Sequence, residues 1–140
     1  MIKPINNFLS NDICNELIGF FESSNNKEKY RDTLILNYKN KKILEDLYTL
    51  FQIKLLLTPA DMQIVKWPTG SFMDTHCDTG DQYGILLYLN DNFEGGETII
   101  DTVIITPKKG CGVLFSNGVL PHSVGKIKKG TRYTLPIWYK

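Results

Sequence analysis

The hydrophobic and polar positions divide the chain into two parts with different periods. From Ser10 onward the apolar residues Ile13, Leu17, Ile18, Phe20 and Phe21 recur at helical spacing, which predicts one apolar face on a first helix. Ser10 stands where an N-cap hydroxyl accepts a first-turn N–H, and Asp12 lies where the helix dipole favours negative charge. The run S-S-N-N at 23–26 ends the pattern. A second helix is predicted over Lys41 to Lys54, with Ile43, Leu44, Leu47, Leu50 and Phe51 on one side. Between the two, K-E-K-Y-R-D-T-L-I-L-N-Y at 27–38 begins polar and turns strand-like. It reads as a loop leading into an edge strand.

Beyond Pro59 short β-type runs alternate with turn signals. M-Q-I-V-K-W precedes W-P-T-G, Y-G-I-L-L-Y-L precedes N-D-N-F-E-G-G, and T-V-I-I-T precedes P-K-K-G. C-G-V-L-F-S, H-S-V-G-K-I and R-Y-T-L-P-I-W-Y continue the series. About eight short strands in this space is the density of a β sandwich or barrel. The prediction is a single domain over 1–140, with a helical part at about 1–58 packed on a β core at about 59–140.

Composition narrows the function classes. A formal net charge of +1 disfavours a dedicated nucleic-acid binder, which is normally clearly basic. The longest apolar runs, I-K-L-L-L and G-I-L-L-Y-L, are far too short to span a bilayer, so no membrane partner is expected. The start, M-I-K-P-I-N-N-F-L-S, has no apolar signal core, which predicts a soluble, cytoplasmic protein. Cys14, Cys77 and Cys111, an odd number without C-x-x-C spacing, fit free thiols in a reducing compartment. Arg31 and Arg132 stand against fourteen lysines, so each arginine merits separate attention.

The candidate chemistry begins at T-H-C-D, where His76 and Asp78 would share a strand face because side chains two apart point the same way. Imidazole and carboxylate make two-thirds of the facial triad that holds non-haem Fe(II). An H-x-D pair arises by chance in roughly one such chain in eight, so it carries little alone. The other histidine, His122, follows Pro121 at the start of a late strand, from which it can supply a third ligand across a closed β core. Ten residues on stands Arg132, whose fork can bind a carboxylate through two parallel hydrogen bonds. Tyr88, late in a central strand, offers a hydroxyl to the same anion.

In order, H-x-D, Y-L-N, G-G-E-T, the second histidine, the ten-residue step to arginine and I-W-Y resemble the Fe(II)/2-oxoglutarate dioxygenases, specifically their prolyl 4-hydroxylase branch. The likeness is clearest from Gln63 to Tyr139, and I-N-N-F-L-S-N-D-I-C-N-E-L-I resembles the branch's opening helix. The resemblance implies a double-stranded β-helix, or jelly roll, with His76, Asp78 and His122 as iron ligands. It further implies that Arg132 pairs with the distal carboxylate of 2-oxoglutarate and that Tyr88 hydrogen-bonds it. The implied reaction couples oxidation of 2-oxoglutarate by molecular oxygen to hydroxylation of an unactivated C–H bond, with ascorbate as a reductant. A prolyl residue of a peptide or protein is the first substrate expectation, ahead of a free amino acid or other small molecule.

The chain departs from that branch where tyrosines often precede the first ligand: Trp67 and Phe72 stand there and would wall the pocket without hydroxyls. Trp138 is expected as packing behind the co-substrate, Gly95 and Gly96 as a tight turn, and Cys77 as facing away from the metal. Cys14 is expected to be buried on the inner side of the first helix, and K-I-K-K-G at 126–130 to form a solvated turn. Arg31 is a surface charge, or a substrate contact if the 27–37 segment folds over the pocket. Among rivals, a nucleic-acid-demethylating branch would carry a second arginine where Trp138 stands, and a three-histidine cupin site is excluded by the count. A two-histidine zinc hydrolase leaves Arg132 and Tyr88 without a shared purpose. A non-catalytic jelly-roll module for peptide or sugar has little use for all three ligands and the arginine.

Overall fold

A computed structural model describes residues 1–51 and 59–140, so the predicted end of the second helix at 52–54 lies outside the described residues. In chain order the first elements are β1 (Ile2–Ile5), α1 (Asn11–Ser23), β2 (Glu28–Tyr30), β3 (Thr33–Asn37), α2 (Lys41–Phe51) and β4 (Pro59–Trp67). There follow β5 (Met73–His76), β6 (Tyr83–Tyr88), β7 (Glu94–Gly95), β8 (Thr98–Ile100) and β9 (Val103–Ile105). The chain closes with β10 (Gly112–Phe115), β11 (His122–Val124), β12 (Ile127–Lys129) and β13 (Arg132–Tyr139).

The caps form as their residues require. Ser10 Oγ accepts from Ile13 N at 3.2 Å, and Asn40 Oδ1 accepts from Ile43 N at 3.0 Å, each satisfying a first-turn donor. On α1 the buried face is Cys14, Leu17 and Phe21. Ile13 and Phe20, predicted on that face, are exposed, as is Leu50 on α2. Helical spacing gives the stripe but not how far the neighbouring sheet extends beneath it.

Seven strands form the larger sheet in the order β1-β10-β6-β13-β4-β3-β2, and β5-β11-β8-β9 form the smaller. The 27–38 segment is thus a β2–β3 hairpin on the sheet's edge, and β1, with Pro4 in it, forms the opposite edge against β10. Proline is tolerated at an edge because one side of the strand needs no donor. K-I-K-K-G is more than a turn: β12 pairs with β7, and Ile127 is buried beside Val65 and Trp67 between exposed lysines.

Period two sorts the long strands. In β13, Leu135, Ile137 and Tyr139 pack with the two helices, while Arg132, Thr134, Pro136 and Trp138 line the space between the sheets. In β4, Met62 and Ile64 join the helix layer, while Gln63, Val65 and Trp67 face inward. The helices therefore seal one face of the large sheet and leave the other to form a cavity with the small one. Among the described residues, no helix is long and apolar enough to cross a membrane.

Candidate metal and co-substrate site

His76 closes β5 and His122 opens β11, and the antiparallel register sets the two opposite each other. Their ring centroids are 4.4 Å apart. Asp78 lies two residues past the end of β5, so the shared strand face predicted for it does not form. A backbone bond from Asp78 N to Asn117 O at 2.9 Å turns the chain instead. The carboxylate still meets both rings: Oδ1 is 3.3 Å from His76 Nε2, and Oδ2 is 3.3 Å from His122 Nε2. One ligand atom from each residue lies within 4.8 Å of the others.

The histidine tautomers follow from their partners. His76 Nδ1 is 2.8 Å from Asp74 O, and His122 Nδ1 is 2.9 Å from Leu120 O. A carbonyl only accepts, so both Nδ1 atoms carry hydrogen and each Nε2 is left for the centre. Two Nε2 lone pairs and a carboxylate then converge, an arrangement that a proton or a cation must stabilise. This donor set suits non-haem Fe(II). Burial raises the Asp78 pKa, but His122 and the Asn117 amide outweigh it and hold the carboxyl below its ordinary value. Burial lowers the His122 pKa, yet Asp78 and the Leu120 carbonyl leave it raised.

At the other end, Arg132 is fully buried at the start of β13. Its guanidinium carbon lies 4.8 Å from the Trp67 ring centroid and 5.5 Å from that of Tyr88. Nη2 donates to Thr98 Oγ1 at 2.9 Å, and the Tyr88 hydroxyl shares that oxygen at 2.8 Å. Arg132 Nε and Nη1 are buried without a hydrogen-bond partner among the described residues. Desolvation pushes the guanidinium pKa down. Donors at this depth call for a carboxylate, and the residues fit that of 2-oxoglutarate. Gly96, at φ 65°, allows the approach, since a Cβ there would come within 3.1 Å of Arg132 Cδ. Gly95, at φ 75°, also takes the positive φ expected of the G-G pair, but it closes β7 against Ile127 and no tight turn forms there.

A single cavity of about 170 Å³ is lined by both ends, from Arg132 and Thr98 to His76, Asp78 and His122. A wider cleft of about 720 Å³ lies outside it, also lined by His76 and Asp78, beneath Tyr30 and Arg31 of the β2–β3 hairpin. Arg31, at φ 54° in the hairpin turn, stacks on Tyr30 and lines this outer cleft. Trp67 and Trp138 line the inner cavity. Phe72 lines neither space and is 47% exposed, so it does not wall the pocket. Cys77 is exposed and Cys14 buried. Trp138 does more than pack: its indole N–H donates to Asp78 Oδ2 at 3.2 Å. Sequence reasoning missed Thr98, although G-G-E-T contains it, and Asn117, which no local motif marks.

Residues 62–140 match the model of the 2OG-Fe(II) oxygenase superfamily. Human prolyl 3-hydroxylase 2 is 42% identical over a stretch covering 41% of this chain and 9% of that protein, and human prolyl 3-hydroxylase 3 is 38% identical over the same shares. The chain thus spans about a tenth of the length of these curated relatives. The solved structure of a viral collagen prolyl hydroxylase from Paramecium Bursaria Chlorella virus-1, a 2OG complex, superposes with TM-score 0.79 at 19% identity, covering 99% of this chain and 94% of that one. A Pseudomonas putida prolyl-4-hydroxylase gives TM-score 0.77 at 20% identity, covering 99% and 91%. Both share the double-stranded β-helix fold found here. Because the matched segment takes in more than half of the chain and carries all three candidate ligands together with Arg132, the chain belongs to the 2OG-Fe(II) oxygenase superfamily.

Proposed function

We propose that the chain hydroxylates a prolyl residue of a peptide or protein, using Fe(II) held by His76, Asp78 and His122 and 2-oxoglutarate anchored at Arg132. When bound, iron and co-substrate supply the oxygen activation and oxidative decarboxylation that place one oxygen atom in a C–H bond. The protein's part is binding and orientation. Arg132, Thr98 and Tyr88 receive the distal carboxylate, and their full burial strengthens each charge-assisted bond. Val65, Val124 and Pro136 line the cavity with apolar surface that excludes water. The Asp74 and Leu120 carbonyls keep both Nε2 atoms turned inward. Ascorbate as an external reductant belongs to the same reading.

The observation that carries the prolyl assignment is the 42% local identity to human prolyl 3-hydroxylase 2. The outer cleft beside the triad, open along the β2–β3 hairpin, also gives an extended peptide somewhere to lie. A proline-rich peptide incubated with protein, Fe(II), 2-oxoglutarate and ascorbate should gain the mass of one oxygen on proline, with stoichiometric succinate. Fragment analysis would then distinguish position 3 from position 4. Succinate formation that no prolyl peptide stimulates would contradict the substrate. A free amino acid is the second reading, favoured by Arg31, which lines the outer cleft and makes no ion pair among the described residues.

A further inference from the structure

In the resting geometry Asp78 places each carboxylate oxygen 3.3 Å from one histidine Nε2, so distance alone does not decide which oxygen a metal would take. Hydrogen bonding does. Oδ2 accepts from Asn117 Nδ2 at 3.0 Å and from Trp138 Nε1 at 3.2 Å. A carboxylate oxygen has two lone pairs, and these two donors engage both. Among the described residues Oδ1 accepts from no such donor and faces only the ring of His76.

The two donors are held from separate parts of the fold. Trp138 is the fourth inward residue of β13, on the same strand face as Arg132. Asn117 is fully buried, and its backbone carbonyl holds Asp78 N at 2.9 Å. Its amide also reaches Asp81 Oδ2 at 3.5 Å, so two carboxylates fix which end of the amide carries nitrogen. Gly84 lies against this side chain, and a Cβ there would come within 2.9 Å of Nδ2.

We propose that Asn117 and Trp138 are positioning residues that fix Asp78 as a one-oxygen ligand through Oδ1. A carboxylate binding through both oxygens takes two coordination positions; one binding through a single oxygen leaves that second position for the co-substrate or oxygen. This inference rests on the oxygenase reading of the triad and adds a role for two residues outside it.

The test is Trp138→Phe, which keeps an aromatic wall and deletes the N–H, alongside Asn117→Ala, both as Co(II)-loaded protein. Calorimetry would give the affinity for 2-oxoglutarate, the visible Co(II) spectrum would report the number of ligand atoms, and melting would report the fold. Freed of a donor, Oδ2 should turn to the metal. The spectrum should then shift to that of a site with one more protein ligand atom. The 2-oxoglutarate affinity should fall, because Oδ2 would take a position the co-substrate needs, and it should fall by more than cobalt affinity. Removing a ligand's hydrogen-bond partner costs metal affinity about tenfold at the lower end, and here the added oxygen offsets that loss. An unchanged spectrum overturns the inference, whether the co-substrate affinity stays level or falls together with melting temperature and cobalt affinity. The oxygenase reading survives either result if the parent binds both ligands. A parent that binds neither Co(II) nor 2-oxoglutarate would overturn both.

Discussion

The two ends of the cavity are built on different terms. At the carboxylate end, Arg132, Tyr88, Thr98 and Trp67 are all buried and come from regular strands of both sheets. At the metal end, the His76 and Asp78 side chains are 38% and 21% exposed, and Asp78 stands in a turn beyond its strand. The difference follows from what each end must do. A co-substrate carboxylate can be enclosed, where low dielectric strengthens every hydrogen bond to it. The proposed metal site must stay reachable by a substrate that changes with each turnover, and His76 and Asp78 line both the cavity and the outer cleft.

This contrast predicts effects of graded size. Arg132→Met should be the most severe for binding. Losing one partner of a buried charge pair costs about 2–5 kcal/mol, or roughly thirty- to several-thousand-fold in 2-oxoglutarate affinity by calorimetry. The same change should stabilise the ligand-free fold by about 1 kcal/mol or more, because it replaces a buried charge that has no ionic partner among the described residues. A drop in melting midpoint would show that the two aromatic rings already satisfy the guanidinium. Metal removal should act next. Stripping a protein held at one hundred times its metal dissociation constant should cost about 2.7 kcal/mol of stability, read as a lower melting midpoint with chelator. His76→Ala should abolish that chelator effect.

Thr98→Val should be intermediate. It leaves Arg132 Nη2 and the Tyr88 hydroxyl without their shared oxygen, at about 1–3 kcal/mol in stability by denaturant titration. Co-substrate binding should weaken with it while metal affinity holds. Phe72→Ala should be the mildest, within about 0.5 kcal/mol and without effect on co-substrate affinity, since Phe72 touches neither space. A large loss there would mean that the metal end extends further outward than the two clefts.

The parts of the site legible in the sequence were those carried by rare residue types. With two histidines and two arginines in the chain, the placement of His76, His122 and Arg132 stood out against the lysine-rich background. Period two accounts for Arg132 and Trp138, six apart, sharing a face of β13 in the structure. What stayed hidden depends on contacts distant in sequence. β1 is a four-residue I-K-P-I that becomes a strand only by pairing with β10 more than a hundred positions away. Asn117 meets a carboxylate 39 residues off, and nothing near it in the chain marks it. Ile13 and Phe20 fit the helical stripe but are exposed, lining a surface groove with Tyr38 and Ile43. Ile127, read as part of a solvated turn, is buried because β7 runs alongside it.

The central claim is that one cavity holds metal at the triad and the distal carboxylate of 2-oxoglutarate at Arg132. Anaerobic visible absorption tests it most directly, with Fe(II) and then 2-oxoglutarate added to the parent, to His76→Ala and to Arg132→Met. The account predicts a metal-to-ligand charge-transfer band in the parent, no band in His76→Ala, and a band in Arg132→Met only at far higher 2-oxoglutarate. A well-folded parent without the band, or an Arg132→Met protein that saturates at the parent's concentration, would contradict it.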